Sequence, residues 1–284
     1  MPDTLTSPML DLDRLTRLLP GLADQYAAGK PYPHIAMDDF LHEDVARLAM
    51  DSFPDVRDAG WIHYVHVNEK KHGLNKLDLL PSPIRQLIEA CNQPEFVALL
   101  SEMTGIPNLL PDPTLEGGGL HQSKRGGYLN VHADFTVHPH KRHWRRRVNL
   151  LIYLNEGWEA DWGGALELWE RDMSRCGKQI LPVFNRAVVF NTDEDSYHGF
   201  PDPITCPEDV TRRSIALYYF TEEKQAPSMR ATNYRARPGD GLKGILIWAD
   251  KKAVAIYTWL KGKLGINDDV VSRILGWFSP QKRR

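Results

Sequence analysis

Hydrophobic and polar residues alternate in short runs through the middle of the chain, and glycine, proline or aspartate residues separate most of these runs. A period of two residues predicts β-strands, because successive side chains of a strand point to opposite faces. Seven short strands with turn residues between them predict a β-sandwich or barrel. The predicted strands are 118–122, 128–134, 147–154, 165–169, 179–183, 187–191 and 212–220.

The sequences on either side of this region have mostly helical periodicity. Leucines recur every three or four residues from Leu10 to Leu22, which predicts a helix interrupted at Pro20-Gly21. No strand is predicted after Thr221. The other predicted elements are strands at 35–40 and 61–67 and helices at 42–53, 82–104 (divided at Pro94), 241–263 and 267–278.

These elements divide the chain into three regions, and the predicted fold class is mainly β with flanking helices (α+β). Residues 1–107 form a helical and mixed region that packs on the core, and residues 108–226 form the core of strands. Residues 227–284 form a basic, amphipathic helical extension.

Composition and charge narrow the function classes. The 284 residues carry a net charge of −2, which gives no general attraction to nucleic acid. The first residues lack a signal-peptide pattern, no apolar run is long enough to span a bilayer, and the three cysteines are scattered. We therefore predict a reduced, cytoplasmic protein.

Charge is unevenly distributed along the chain. Residues 227–284 hold 12 Lys or Arg against 4 Asp or Glu, an excess of about eight positive charges. We consider three alternatives for the segment 241–284. It packs on the core, joins a second copy of the chain, or lies on the inner surface of an anionic membrane.

The candidate chemistry begins with Tyr128-Leu-Asn-Val-His132-Ala-Asp134. On a strand, His132 and Asp134 share one face about 6.5–7 Å apart, so both can bind one cation. Two histidines and one carboxylate form the facial ligand set of non-haem Fe(II) oxygenases. A second His-x-acid match at His42 and Asp44 lies in a predicted helix, where positions i and i+2 face apart. Only the pair in the strand therefore fits a metal site.

Further candidates follow downstream. His198 comes after a predicted buried strand and a polar turn. Arg212 and Ser214 share one face of the last predicted strand and offer a guanidinium and a hydroxyl to a carboxylate. Asn149 and Tyr153 share one face of an earlier strand, where a phenol can donate to the same carboxylate.

Six blocks in this order make the resemblance specific. They are His132-x-Asp134, Asn149 to Asn155, Gly163 to Leu168, Arg186 to Phe190, Ser196-Tyr-His198-Gly, and Arg212-x-Ser214 to Phe220. The pattern resembles the prolyl-hydroxylase-type branch of the 2-oxoglutarate/Fe(II) dioxygenases over roughly residues 115–222. The resemblance implies a double-stranded β-helix (jelly roll) with N-terminal helices that buttress one sheet.

The same resemblance implies a hydroxylase that uses Fe(II), 2-oxoglutarate and O2, with ascorbate as an additional reductant, and gives succinate and CO2. It implies His132, Asp134 and His198 as iron ligands. It also implies that Arg212, Ser214 and Tyr153 hold the distal carboxylate of 2-oxoglutarate, and we place Asn149 in the same group. A close backbone approach is expected at Gly163-Gly164.

The substrate is not defined by the sequence. Peptidyl proline, an amino acid, and a sugar or lipid-linked glycan stay open as classes. Tyr128, Asn130 and His121 are candidate contacts, because the first two share the predicted ligand face and the third lies one strand earlier. The basic run 140–147 is predicted as a loop at the cavity mouth, where it either binds an anionic group or is solvated.

Two alternatives belong to other functional classes. One is a metal-binding jelly roll without turnover, as among cupins, which would not need the Arg212-x-Ser214 pair. The other is an adaptor that acts on a membrane or a partner through its C-terminal helices.

Overall fold

The computed structural model describes residues 7–249 of the 284. Its helices precede most of the strands, as the periodicity predicts. They are α1 (Leu12–Ala28), α2 (Glu43–Asp51), α3 (Ser82–Cys91) and α4 (Pro94–Thr104). Two short 3-10 turns occupy Leu77–Leu79 and Ala160–Trp162.

Thirteen strands belong to one antiparallel sheet. The prediction of a mainly β fold with flanking helices is therefore confirmed. The strands are β1 (His34–Met37), β2 (Ile62–His66), β3 (Glu69–Leu74), β4 (Leu110–Pro111), β5 (Gly119–Ser123), β6 (Tyr128–Ala133), β7 (Trp144–Tyr153), β8 (Leu166–Trp169), β9 (Cys176–Ile180), β10 (Arg186–Asn191), β11 (His198–Phe200), β12 (Arg212–Glu222) and β13 (Asn233–Tyr234).

The strand order is β1-β10-β7-β12-β5-β3-β6-β11-β8-β9. One half of the sheet consists of β1, β10, β7, β12 and β5, and the other half consists of β6, β11, β8 and β9. Strand β3 joins the two halves. Both halves contribute side chains to one cavity, so the sheet curls around it. The sheet therefore forms a cup, which agrees with the double-stranded β-helix that the resemblance implies.

The helices pack on the larger half of the sheet. Alternate residues of its strands, such as Leu150, Val189 and Leu217, are buried in one cluster with Leu19 of α1 and Leu100 of α4. Each buried aliphatic side chain of this kind stabilises the fold by roughly 1.5–3 kcal/mol. The opposite faces of the same strands are then free to line the cavity.

Some predicted boundaries are wrong. Helix α1 continues through Pro20 and Gly21, because Pro20 is exposed and the carbonyl of exposed Thr16 can bond to water instead. A strand does follow Thr221, since β13 pairs with β6. The strands β3, β4 and β11 were not predicted. From the region 1–107, β1 pairs with β10, and β3 pairs with both β5 and β6.

The C-terminal extension is described only at its start. Residues 241–249 form a helix with Ile247 buried and Leu242 exposed. The remainder of the predicted helix 241–263, and the whole of 267–278, lie outside the described residues. Among residues 7–249, no helix has the length and apolar character needed to cross a membrane.

Candidate metal centre and co-substrate pocket

Three side chains predicted as metal ligands converge inside the cup. His132 on β6 is paired directly with His198 on β11, and Asp134 follows the end of β6. One ligand atom from each residue lies within 4.8 Å of the other two. In the part of the chain that the structure describes, this is the one group of three or more such residues close enough to hold a metal ion.

Backbone carbonyls orient both imidazoles. His132 Nδ1 donates to the Asn130 carbonyl and His198 Nδ1 to the Ser196 carbonyl, each over 2.9 Å. Each ring then turns its Nε2 toward Asp134, at 3.6 Å from His132 and 3.4 Å from His198. Burial, the largest influence, lowers the pKa of His198 to about 4, which keeps this ring neutral and able to bind a cation.

Asp134 lies between two donors on its other side. Arg146 Nη2 is 2.8 Å from Asp134 Oδ2, and Asn149 Nδ2 donates to the same oxygen over 2.9 Å. Burial raises the pKa of this carboxyl, but the opposing effects, of which the charge of Arg146 is the largest, outweigh burial and hold the pKa well below the usual range. The carboxylate is therefore ionised before any metal binds.

Arg146 is a site residue that the sequence did not indicate. We predicted the run 140–147 as a loop, but β7 begins at Trp144. Its pairing with β12 shifts between Val148 and Arg146, and this bulge turns Arg146 to the cavity face. Its side chain is only 1% exposed, lies 3.4 Å above the Tyr218 ring, and donates twice to Asn149 Oδ1. Asn149 therefore contacts Asp134 and Arg146, whereas we predicted that it contacts the co-substrate.

The predicted carboxylate anchor lies deeper in the same cavity. Arg212 is 5% exposed and donates through Nε to the Gly164 carbonyl over 2.7 Å, and its Nη2 is 3.2 Å from the Tyr153 hydroxyl. Gly164 has φ +71°, and a Cβ there would lie 3.2 Å from the Arg212 side chain. The close approach expected at Gly163-Gly164 is thus present. Ser214 also lines the cavity.

Two of the predicted substrate contacts point elsewhere. On β6 the pairing shifts between His132 and Leu129, so Asn130 and Val131 oppose the single residue Gly199 of β11, and this bulge reverses the alternation. Leu129 therefore lines the cavity. Tyr128 and Asn130 instead donate to the carbonyls of His66 and Val67, and neither is among the residues that line the cavity, so their role as substrate contacts stays a prediction.

The cavity has a volume of about 210 Å³. His121 lines it, as predicted, and its pKa is well below the usual range because of burial and then the charge of Lys71. Sequence reasoning missed the residues that close its outer side, because they come from β2, β3 and β13 rather than from the core strands. These residues are Tyr64, Glu69, Lys71, Thr232 and Tyr234.

This fold and site define a class of protein. Residues 118–220 match the family model described as "2OG-Fe(II) oxygenase superfamily". Over that segment, about a third of its length, the chain is similar to this superfamily, as the resemblance to the prolyl-hydroxylase-type branch predicts. For residues 118–220, this match agrees with the predicted class of oxygenase that uses iron and 2-oxoglutarate.

A curated relative is the mouse (Mus musculus) protein named "Prolyl 3-hydroxylase OGFOD1". It is 30% identical over 79 residues, which are 26% of this chain. The match spans only 14% of the length of that relative. So short a match does not establish the activity or the substrate of the whole chain.

Solved structures share the fold. A prolyl hydroxylase from Trichoplax adhaerens, in complex with a peptide fragment of hypoxia inducible factor, aligns with a TM-score of 0.53 at 19% identity, over 76% of this chain and 94% of its own. A Pseudomonas putida prolyl-4-hydroxylase aligns with a TM-score of 0.50 at 18% identity, over 71% and 99%. The predicted jelly roll is thereby confirmed.

Proposed function

We propose that this chain is an Fe(II)- and 2-oxoglutarate-dependent dioxygenase that hydroxylates a C–H bond of an amino-acid, peptidyl or sugar substrate. The convergence of His132, Asp134 and His198 beside the buried Arg212 supports this assignment most strongly. A cation-binding group and a carboxylate-binding group in one cavity are what this reaction requires.

The donor set fits iron. Two imidazoles and one ionised carboxylate leave coordination positions open for a co-substrate and O2. The carbonyl partners of both Nδ1 atoms hold the rings so that Nε2 faces the centre, as metal-bound histidines generally require. Iron bound there would couple the oxidative decarboxylation of 2-oxoglutarate to hydroxylation of the substrate.

The protein residues have separate tasks in this scheme. Arg212 offers its guanidinium to the distal carboxylate of 2-oxoglutarate, and Tyr153 and Ser214 add hydroxyls beside it. Arg146 and Asn149 hold the second oxygen of Asp134, so that the first is directed to the metal. The apolar Phe190 and Leu166 line the cavity and reduce its access to water.

A metal-binding jelly roll without turnover is the weaker alternative. A buried guanidinium without a carboxylate partner costs free energy, and within the described residues Arg212 contacts only a carbonyl, a phenol and two aromatic rings. A co-substrate carboxylate that pairs with Arg212 would offset that cost.

The experiment measures succinate formation from 2-oxoglutarate and O2 by the purified, Fe(II)-loaded protein, without added substrate. We expect slow uncoupled turnover, which His198→Ala removes by deleting a ligand. His42→Ala is the matched control, because His42 lies outside the cavity. No succinate, together with no change in visible absorbance when 2-oxoglutarate is added anaerobically, would refute the proposal.

A further inference from the structure

The outer wall of the cavity carries a buried ion pair. Glu69 and Lys71 lie on one face of β3, and their side chains are 10% and 15% exposed. Lys71 Nζ is 3.2 Å from Glu69 Oε2 and 5.4 Å from the centre of the Tyr64 ring. Both residues line the cavity that holds the metal site.

Both carboxylate oxygens of Glu69 have a partner, whereas the ammonium group of Lys71 has more donors than partners. His66 Nε2 lies 2.9 Å from Glu69 Oε1, so each oxygen of this carboxylate has a partner. An ammonium group has three donors. Within residues 7–249, the ion pair of Lys71 is with Glu69, which leaves donor capacity directed into the cavity.

The cavity also has an excess of positive charge. Of the described residues that line it, Lys71, Arg146 and Arg212 are cationic, and Glu69 and Asp134 are anionic. One positive charge therefore remains unbalanced. The charge of Fe(II) cancels that of doubly ionised 2-oxoglutarate, so the excess persists when both are bound.

Lys71 is the cation available to bind an anion that neutralises this excess. Arg146 is bound to Asp134 and Asn149. Arg212 lines the cavity, donates to the Gly164 carbonyl, and is assigned to 2-oxoglutarate in the proposed function. Lys71 also lies outside residues 118–220, the segment that matches the family model.

We propose that the substrate carries an anionic group, a carboxylate or a phosphate, that binds Lys71 beside the metal site. This inference rests on the proposed function, because its charge balance includes bound iron and 2-oxoglutarate. An unbalanced charge in a desolvated site is costly, and an anion on the substrate removes that cost. A substrate without such a group would leave Lys71 only partly paired.

The test compares compounds that differ only in the anion. The protein is loaded with diamagnetic Zn(II) and 2-oxoglutarate, and binding is measured by ligand-observed NMR titration. One arm pairs the twenty N-acetyl-L-amino acids with their amides, and the other pairs N-acetylglucosamine with its 6-phosphate. The first arm detects a carboxylate and the second a phosphate.

We expect the anionic member of at least one pair to bind on the order of tenfold tighter than its neutral partner. Lys71→Met should remove this preference, and Lys71→Arg should keep it. Lys70→Met is the matched control, because Lys70 is exposed and outside the cavity. A thermal melt of each variant checks that it is folded.

Two results would overturn the inference while the proposed function stands. Either no anionic member binds better than its neutral partner, or folded Lys71→Met keeps the preference. Binding of 2-oxoglutarate is measured in the same samples. If 2-oxoglutarate does not bind, the proposed function fails, and the inference fails with it.

Discussion

The ion pair between Arg146 and Asp134 makes a prediction about the stability of the metal-free protein. Arg146→Met keeps most of the side chain that packs on Tyr218 but leaves the Asp134 carboxylate without its nearest cation. The loss of one partner of a buried pair costs about 3–5 kcal/mol. For a chain of this size that corresponds to a fall in Tm of about 6–20 °C.

The expected loss depends on metal, because a bound cation also neutralises Asp134. Thermal melts in EDTA and in Mn(II) should therefore show a much larger penalty for Arg146→Met in EDTA. Arg145→Met is the control, since Arg145 is 40% exposed and its ion pair with Asp193 is worth at most about 1 kcal/mol. In EDTA, the Asp134→Asn/Arg146→Met double variant should lose less than the sum of the single losses. Equal penalties in EDTA and Mn(II), or additive single effects, would refute this account of the pair.

Three further predictions concern the co-substrate, pH and the C-terminal segment. Arg212→Met should raise the Kd for 2-oxoglutarate on the order of 10- to 100-fold and leave Mn(II) binding intact, as measured by calorimetry; an unchanged Kd would remove Arg212 from the site. The folded pKa of His198 is about 4, below the ordinary 6.5, so the unfolded chain takes up a proton that the folded ring does not. Stability of the metal-free protein should thus fall as pH drops from about 6.5 to about 4 in urea titrations, and His198→Gln should flatten that slope. If residues 241–284 lie on an anionic membrane, the full chain floats with phosphatidylserine vesicles and a chain ending at residue 240 does not; a full chain that stays at the bottom of the gradient excludes this alternative.

Local periodicity was sufficient to predict which neighbouring site residues share a strand face. His132 and Asp134 share a face because the strand period is two, and the same rule places Arg212 beside Ser214. His198 could be linked to them only through the ordered blocks of the resemblance. No local pattern specifies that β11 pairs with β6.

The residues that sequence reasoning missed have a different cause. The strand β3 reads Glu-Lys-Lys-His-Gly-Leu, and such a charged run lacks the alternation that marks a strand. Arg146 lies in a basic run that is typical of a solvated loop, and only its pairing with Asp134 explains its burial. The bulge in β6 turns Leu129 rather than Asn130 to the cavity. This bulge depends on pairing with β11, which no local pattern specifies.

The central claim is that one metal ion binds His132, Asp134 and His198 together, beside a co-substrate held by Arg212. Anomalous diffraction from crystals grown with Mn(II) and 2-oxoglutarate tests it most directly. We expect a single strong peak within about 2.0–2.3 Å of the Nε2 atoms of His132 and His198 and of an Asp134 oxygen. We also expect 2-oxoglutarate between the metal and Arg212. A peak at any other place, or 2-oxoglutarate bound away from Arg212, would contradict it.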